Sequence, residues 1–138
     1  MKLSEAIIVG STKGPQVRGH YTALVDGQRG YCAIGASLAA VGALSLPVPF
    51  WVPGGHPNST IEEWRQTVET RVLHCPAGCD IVANTGVDHF MSHLNDRHGW
   101  TRERIADWVA SIERANEEAA FLKEVRTLAE VQPLEPAL

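Results

Sequence analysis

Four side chains of the kind that bind metal ions occur at a spacing that restricts how residues 75 to 98 can fold. Cys75 and Cys79 enclose three residues, thirteen residues lead on to His93, and four more lead to His98, which gives the pattern C-x3-C-x13-H-x4-H. Zinc prefers four nitrogen or sulfur ligands at tetrahedral positions. The spacing therefore predicts a tight turn that presents both thiolates and a helix that presents both imidazoles.

The residues between these ligands favour the required turn, strand and helix. Pro76 and Gly78 are typical of a turn that brings both sulfur atoms to one side. Residues 80–84 (DIVAN) are predicted to form the returning strand, and Thr85 is predicted to cap a helix that has Asp88 at its third position. The segment is expected to hold one structural Zn²⁺ ion in a closed site.

At these residues the chain resembles the C2H2 zinc finger family, whose spacing is C-x2 to 4-C, about twelve residues, then H-x3 to 5-H. The resemblance implies Cys75, Cys79, His93 and His98 as the ligands, and Phe90 matches the apolar position three residues before the first histidine. Two departures are a spacer longer by one residue and the missing aromatic residue after the second cysteine. The resemblance implies a finger-like module inside a larger domain.

The chain is also similar to small uncharacterised bacterial and phage proteins that combine two short segments. The first is G-x-C-A-x-G-A, which is GYCAIGA at residues 30–36, and the second is HLND-x-H-x-W-T-R-E, which is HLNDRHGWTRE at residues 93–103. This similarity implies a bacterial or phage source, and it implies no particular activity.

The second histidine ligand has alternatives. His89 precedes His93 by four residues and so faces the same way on a helix. It could replace His98 as a ligand, or it could contact one of the ligand side chains without binding the ion. His74 is a weaker substitute. Without His98 the site would be open to a catalytic water, and a hydrolase would become possible. Three local residues could then serve as the general base: Asp88, Asp96 and Glu103.

A site with four protein ligands leaves no position for a catalytic water, so the metal is expected to be structural and no catalytic residue is assigned. The predicted function is a non-enzymatic accessory or regulatory protein that binds a protein partner. The predicted oligomeric state is left open.

Nucleic-acid binding is the alternative function. The formal net charge of −4 repels a polyphosphate at long range. The exposed face predicted for the helix at residues 86–97 carries one side chain that is always positively charged, whereas binding along a phosphate backbone requires several. That face comprises Asp88, His89, Ser92, Asn95, Asp96 and Arg97. A small basic cluster follows it, formed by Arg97, Arg102 and Arg104.

Cys32 offers a second enzyme hypothesis. It follows a glycine turn at a predicted helix N-terminus, where the helix dipole lowers a thiol pKa, and a histidine elsewhere could pair with it in a Cys-His hydrolase. It also lies among alanines, including Ala33 and Ala36, which favours a small buried packing residue. Packing is the preferred interpretation.

The sequence as a whole predicts a mostly helical α+β fold in a single domain at residues 1–132, with a flexible tail at 133–138. Small residues in YCAIGASLAAVGAL predict a buried helix that lets neighbouring backbones approach closely. The predicted helices span residues 4–10, 31–43, 60–73, 86–97 and 101–130. The predicted parts are a helical region at 1–44, a proline-rich connecting loop at 45–58, an amphipathic helix at 59–74, a zinc-finger-like module at 75–99 and a long helix at 101–130.

The chain is expected to be cytoplasmic and without a membrane contact. Glu5 lies where a signal peptide needs an uncharged core, and no apolar run approaches the length that spans a bilayer. Three cysteines are an odd number, which does not favour a secreted disulfide framework.

Overall fold

The computed structural model describes residues 1–44, 59–68, 73–80, 82–83 and 86–131. The helices are α1 (Leu3–Ser11), α2 (Ala33–Ala40), α3 (Ser59–Thr67), α4 (Val87–Asp96) and α5 (Arg102–Val131). Two antiparallel hairpins join β1 (Thr22–Val25) to β2 (Gln28–Tyr31) and β3 (Leu73–His74) to β4 (Val82–Ala83). The mostly helical α+β fold with a long C-terminal helix is confirmed.

Helices α1 and α2 pack together closely at the centre of the core. A Cβ atom placed on Gly10 would lie 1.8 Å from the carbonyl oxygen of Ala36, and one placed on Gly35 would lie 1.8 Å from that of Tyr21. Only glycine fits where backbones come this near. The prediction that small residues in α2 allow a close backbone approach is therefore confirmed.

The β1–β2 hairpin was not predicted from the sequence. Asp26 and Gly27 have φ angles of 50° and 79°, which are the left-handed values that a two-residue hairpin turn requires. The register pairs Thr22 with Tyr31 and Val25 with Gln28. Only Gly30 is buried in these strands, so they lack the apolar alternation that marks a strand with one face in the core.

Several predicted helix ends need correction. Lys2 is the N-cap of α1, so Ser4 lies inside the helix. Cys32 is the N-cap of α2, and this helix is shorter at both ends than the predicted 31–43. Helix α3 ends at Thr67, and position 73, where the predicted helix ended, lies in the β3 strand that pairs with β4.

Helix α5 begins as predicted and then leaves the core. The hydroxyl of Thr101, the first residue of the predicted helix, accepts a hydrogen bond of 3.1 Å from the backbone N–H of Arg104, which is the contact of an N-cap residue. Ile105, Ala106 and Val109 are buried in the core. From position 117 to 131 every residue is exposed. The exposed large apolar side chains there are Phe121, Leu122, Val125, Leu128 and Val131.

One hydrophobic cluster includes buried residues from all five helices. The predicted connecting loop at 45–58 and the predicted tail at 133–138 lie outside the described residues, and the single-domain boundary stays a prediction. Among the described helices, none is long and apolar enough to cross a membrane.

Candidate metal centre

The two cysteines lie on a tight turn between β3 and β4. The backbone N–H of Gly78 donates to the carbonyl oxygen of Cys75 over 2.9 Å, and Gly78 has a φ of 86°. Glycine tolerates this left-handed angle, which turns the chain back so that Cys79 faces the same side as Cys75. The antiparallel pair of His74 with Val82 closes the base of the turn.

The two histidines lie at the end of α4. His93 is in its last turn, and Gly99 has a φ of 63° just beyond His98. The backbone N–H of Trp100 donates to the carbonyl oxygen of Leu94 over 3.0 Å, so the chain folds back against the last turn of the helix. The helix therefore stops where predicted, and its end brings His98 back beside His93.

Helix α4 is fixed against the core by its apolar face. Its N-cap is Gly86, whereas the predicted cap Thr85 lies outside the described residues. Four of its apolar side chains are buried: Val87, Phe90, Met91 and Leu94.

The four side chains named by the spacing meet in one cluster. One ligand atom from each of Cys75, Cys79, His93 and His98 lies within 4.8 Å of all the others. The Cys75 Sγ atom is 3.5 Å from Nε2 of His98, and the Cys79 Sγ atom is 3.3 Å from Nε2 of His93. The two Nε2 atoms are 3.0 Å apart. Such a cluster could hold a metal ion.

The cluster lies at the margin of the core. Cys75 is buried, with 4% of its surface exposed, while the other three residues are partly exposed. Burial, followed by the nearby charges of His98 and Arg97, lowers the pKa of His93. A lowered pKa favours the neutral imidazole, which is the form that binds a metal.

The alternative ligands lie elsewhere. In the described part of the chain, the group that could share one ion contains His98, and His89 is not a member. The His89 side chain is 50% exposed, with its Nε2 atom 4.0 Å from the Asp88 carboxylate. His74 is exposed on β3 and is also outside the cluster.

The carboxylates considered as general bases have other contacts. Asp88 is buried and accepts two hydrogen bonds from Arg65, at 2.7 Å from Nε and 2.8 Å from Nη2. Asp96 accepts from the backbone N–H of Gly19 over 2.9 Å. Glu103 is exposed in the first turn of α5.

The sequence did not indicate that buried hydrogen bonds of Asn95 connect separate parts of the chain. Asn95 is fully buried, and its Oδ1 atom accepts from the Gln16 amide over 2.8 Å and from the backbone N–H of Ala33 over 3.2 Å. Its Nδ2 atom donates to the carbonyl oxygen of Val17 over 2.9 Å. Asn95 thus joins α4 to the start of α2 and to the chain before β1. Its partners are distant in sequence, so no local signal marks it.

The predicted exposed face of α4 therefore needs correction, because Asp88 and Asn95 point inward. The basic cluster also changes. Arg102 is buried and donates to the carbonyl oxygens of Tyr31 and Ser11. The Arg104 guanidinium lies 3.9 Å from the centre of the Trp100 ring.

Cys32 has the surroundings of a packing residue. It is 4% exposed, and its Sγ atom accepts a hydrogen bond of 3.3 Å from the backbone N–H of Gly35. Although this is a helix N-terminus, as predicted, burial outweighs the hydrogen bond and raises the pKa of Cys32 to about 11. The thiol is therefore protonated at neutral pH and is a poor nucleophile.

In the folded protein at pH 7, we expect iodoacetamide to alkylate Cys32 at least about 100-fold more slowly than an ordinary thiol, since a pKa raised by about two units leaves about one hundredth of the thiolate. The rate should rise about tenfold per pH unit toward the raised pKa. Peptide mass spectrometry over time measures it, with the denatured chain as the control. Rapid labelling of the native protein at pH 7 would contradict the packing role.

Comparisons of the chain with protein-family models, with curated proteins and with solved structures found no match. The finger-like module at residues 75–98 and the bacterial or phage source therefore stay predictions. The feature on which a function can be argued is the cluster of two cysteines and two histidines, which could hold a metal ion.

Proposed function

We propose that this chain is a zinc-binding protein whose single metal ion is structural, and that it acts as a non-enzymatic accessory or regulatory protein by binding another protein. The observation that carries the metal part is the convergence of four ligand atoms within 4.8 Å. Two thiolates and two imidazoles complete a tetrahedral zinc site, so no coordination position is left for a water.

Three of the six distances between the ligand atoms are close to those of a zinc site, and all six are within 4.8 Å. Bonds of about 2.3 Å to sulfur and about 2.0–2.1 Å to nitrogen, at tetrahedral angles, separate sulfur from nitrogen by about 3.6 Å and nitrogen from nitrogen by about 3.4 Å. The corresponding distances here are 3.5 and 3.3 Å for sulfur to nitrogen, and 3.0 Å for nitrogen to nitrogen. Small side-chain adjustments would therefore centre an ion. Soft thiolates also favour zinc over magnesium or calcium.

Bound zinc would supply a crosslink between α4, which packs on the core, and the β3–β4 hairpin, which has few other contacts with that helix. The β3–β4 ladder consists of only two residue pairs within the described residues. Cys75 and Cys79 lie on the turn of that hairpin, and His93 and His98 lie at the end of α4. Such short hairpins are marginal in water without further support. The ion is thus proposed to hold the hairpin in place, which contributes folding free energy.

The metal content tests the first part. Native mass spectrometry of freshly purified, reduced protein should show one zinc ion per chain, and a strong chelator should remove it. Metal-free protein, or a different metal at full occupancy, would contradict the proposal.

The protein-binding part is supported by the second half of α5. Five large apolar side chains are exposed there, between 45% for Val125 and 71% for Val131. An isolated helix of this length is marginal in water. A protein partner that covers this apolar face would stabilise it. The interspersed acidic and basic residues give a mixed charge, which suits a protein surface better than a polyanion.

The paired change of Phe121 and Leu128 to aspartate should abolish partner binding while leaving the free energy of unfolding within about 0.5 kcal/mol, since exposed positions contribute little to the core. The test is quantitative co-purification with the intact chain, together with light scattering, which identifies a second copy as the partner.

Changing Ala120 and Thr127 to aspartate is the matched control, because both positions are exposed on the same helix and lie about 100° around it from Phe121 and Leu128. Unchanged binding by the first variant would contradict the proposed surface. So would a large loss of stability, because it would show that the apolar face packs within the chain.

The nucleic-acid alternative has less support. Asp88 and Asn95, two of the six positions considered for reading bases, are engaged inside the protein. Arg102 is likewise occupied with backbone carbonyl groups. A salt-dependent shift of labelled DNA or RNA by the zinc-loaded chain would favour this alternative.

A further inference from the structure

A cleft of about 760 Å³ lies away from the metal centre, between the first residues of the chain, α3 and the middle of α5. We propose that this cleft binds an alkylguanidinium or alkylammonium group, with Glu113 as the residue that receives the cationic head. The proposal does not depend on the proposed zinc or on the protein partner.

Glu113 is the buried acid of the cleft. Its exposure is 8%, and its Oε1 atom is buried without a hydrogen-bond partner among the described residues. A buried carboxylate oxygen without a donor is costly, because it has lost its water and gained nothing in return. A ligand with a charged N–H group would satisfy that oxygen and the charge together.

The charges of the cleft favour a cation. Three carboxylates line it, from Glu63, Glu113 and Glu117, against two ammonium groups, from Lys2 and the amino terminus at Met1. The Lys2 ammonium is 2.7 Å from the carboxylate of Glu117, so this acid already has a cationic partner. The hydrogen bond and charge of Glu117, and then the charge of Glu113, raise the pKa of Lys2. The cleft already stabilises one ammonium ion at its edge.

The lining favours an organic cation over a metal ion held by three or more side chains. Within the described ranges, the only group of acids, cysteines and histidines close enough to share an ion is the cluster at the metal centre. The carboxylates of the cleft therefore do not converge on one ion. Its wall includes Trp64, Leu3 and Val68, which would contact the methylene stem of a ligand. An indole is also a favourable neighbour for a cation.

Binding is tested with N-butylguanidinium and its neutral analogue N-butylurea, titrated into the intact chain and followed by NMR of backbone amides. The guanidinium should shift amides of α3 and α5 along the cleft and bind about tenfold or more tightly than the urea, because only the cation pairs with Glu113. This comparison needs no mutation. Equal affinity of the two compounds, or no shift at the cleft, would overturn the proposal.

The residue is tested by Glu113→Gln, which should weaken N-butylguanidinium binding about tenfold. Glu118→Gln is the matched control, because this exposed acid is on the same helix outside the cleft lining, and its binding should be unchanged. Equal loss in both variants would show a non-specific charge effect and overturn the role of Glu113.

A third titration separates two sources of the cation. A blocked Ala-Arg-Ala peptide that binds as tightly as N-butylguanidinium would identify the side chain of a polypeptide. Binding of the small cation without binding of the peptide would identify a free amine or guanidine compound. Either result supports the cleft as a cation site, while failure of both ligands contradicts it.

Discussion

Replacing Cys75 with serine should abolish stoichiometric zinc binding and lower the melting temperature by about 15 °C. At a free zinc concentration about 1,000-fold above its dissociation constant, a structural ion contributes about 4 kcal/mol to folding. For a chain of this size, that free energy corresponds to about 15 °C. The serine hydroxyl is a poor zinc ligand, so the variant should resemble the chelated wild-type protein.

The measurement is thermal unfolding by circular dichroism, with and without a chelator, alongside the zinc content. His89→Ala is the matched control, since this exposed histidine lies on the same helix outside the cluster, and it should keep one zinc ion and a nearly unchanged melting temperature. An unchanged melting temperature in the Cys75 variant would contradict a structural role for the ion. Loss of zinc from the His89 variant would instead restore His89 as a ligand.

Asn95→Ala should lower the free energy of unfolding by about 3–5 kcal/mol, an effect unrelated to metal binding. The substitution removes the partner of the Ala33 backbone N–H and of the Val17 carbonyl oxygen. Each buried polar group left without a partner costs about 1–3 kcal/mol. The Gln16 side chain also loses one of its two acceptors and keeps the carbonyl oxygen of Trp100.

Urea unfolding measures this change, with the zinc content as a second readout. Ser92→Ala, on the same helix and only partly buried, should alter stability by no more than about 0.5 kcal/mol. If Asn95→Ala cost no more than this control, the hydrogen bonds would not hold α4 against the N-terminal part of the chain.

The parts of the structure that depend on neighbours in sequence were predictable. The turn between the cysteines, the end of α4 at Gly99 and the N-cap at Thr101 each follow from a residue and its close neighbours. Local rules of backbone conformation determine such features. The spacing of the metal-binding residue types also named the four side chains that come together in the cluster.

Features that depend on distant partners were not predictable from the pattern. Asn95 and Asp88 are polar and were expected to face solvent, but each is buried by partners far along the chain. The end of α3 is a similar case, because the strand that follows it is defined by its pairing with β4. Hydrophobic periodicity contains no information about which polar residue has a buried partner.

The apolar stripe of α5 shows the same limit in another way. Spacings of three and four residues continue along the whole helix, yet only its first part is buried. Periodicity therefore predicted the helix but not where its contact with the core ends.

The exposed length of α5 has a consequence for how such a protein can change during evolution. Residues 117 to 131 extend for about 22 Å at 1.5 Å per residue. Substitutions there meet little constraint from folding, whereas those at the buried positions between Arg102 and Glu113 meet a strong one. The same helix therefore contains a part whose sequence is restricted by packing and a part whose sequence is not. Its outer turns are free to acquire a new binding specificity while the inner turns, the cluster and the Asn95 contacts keep the fold unchanged.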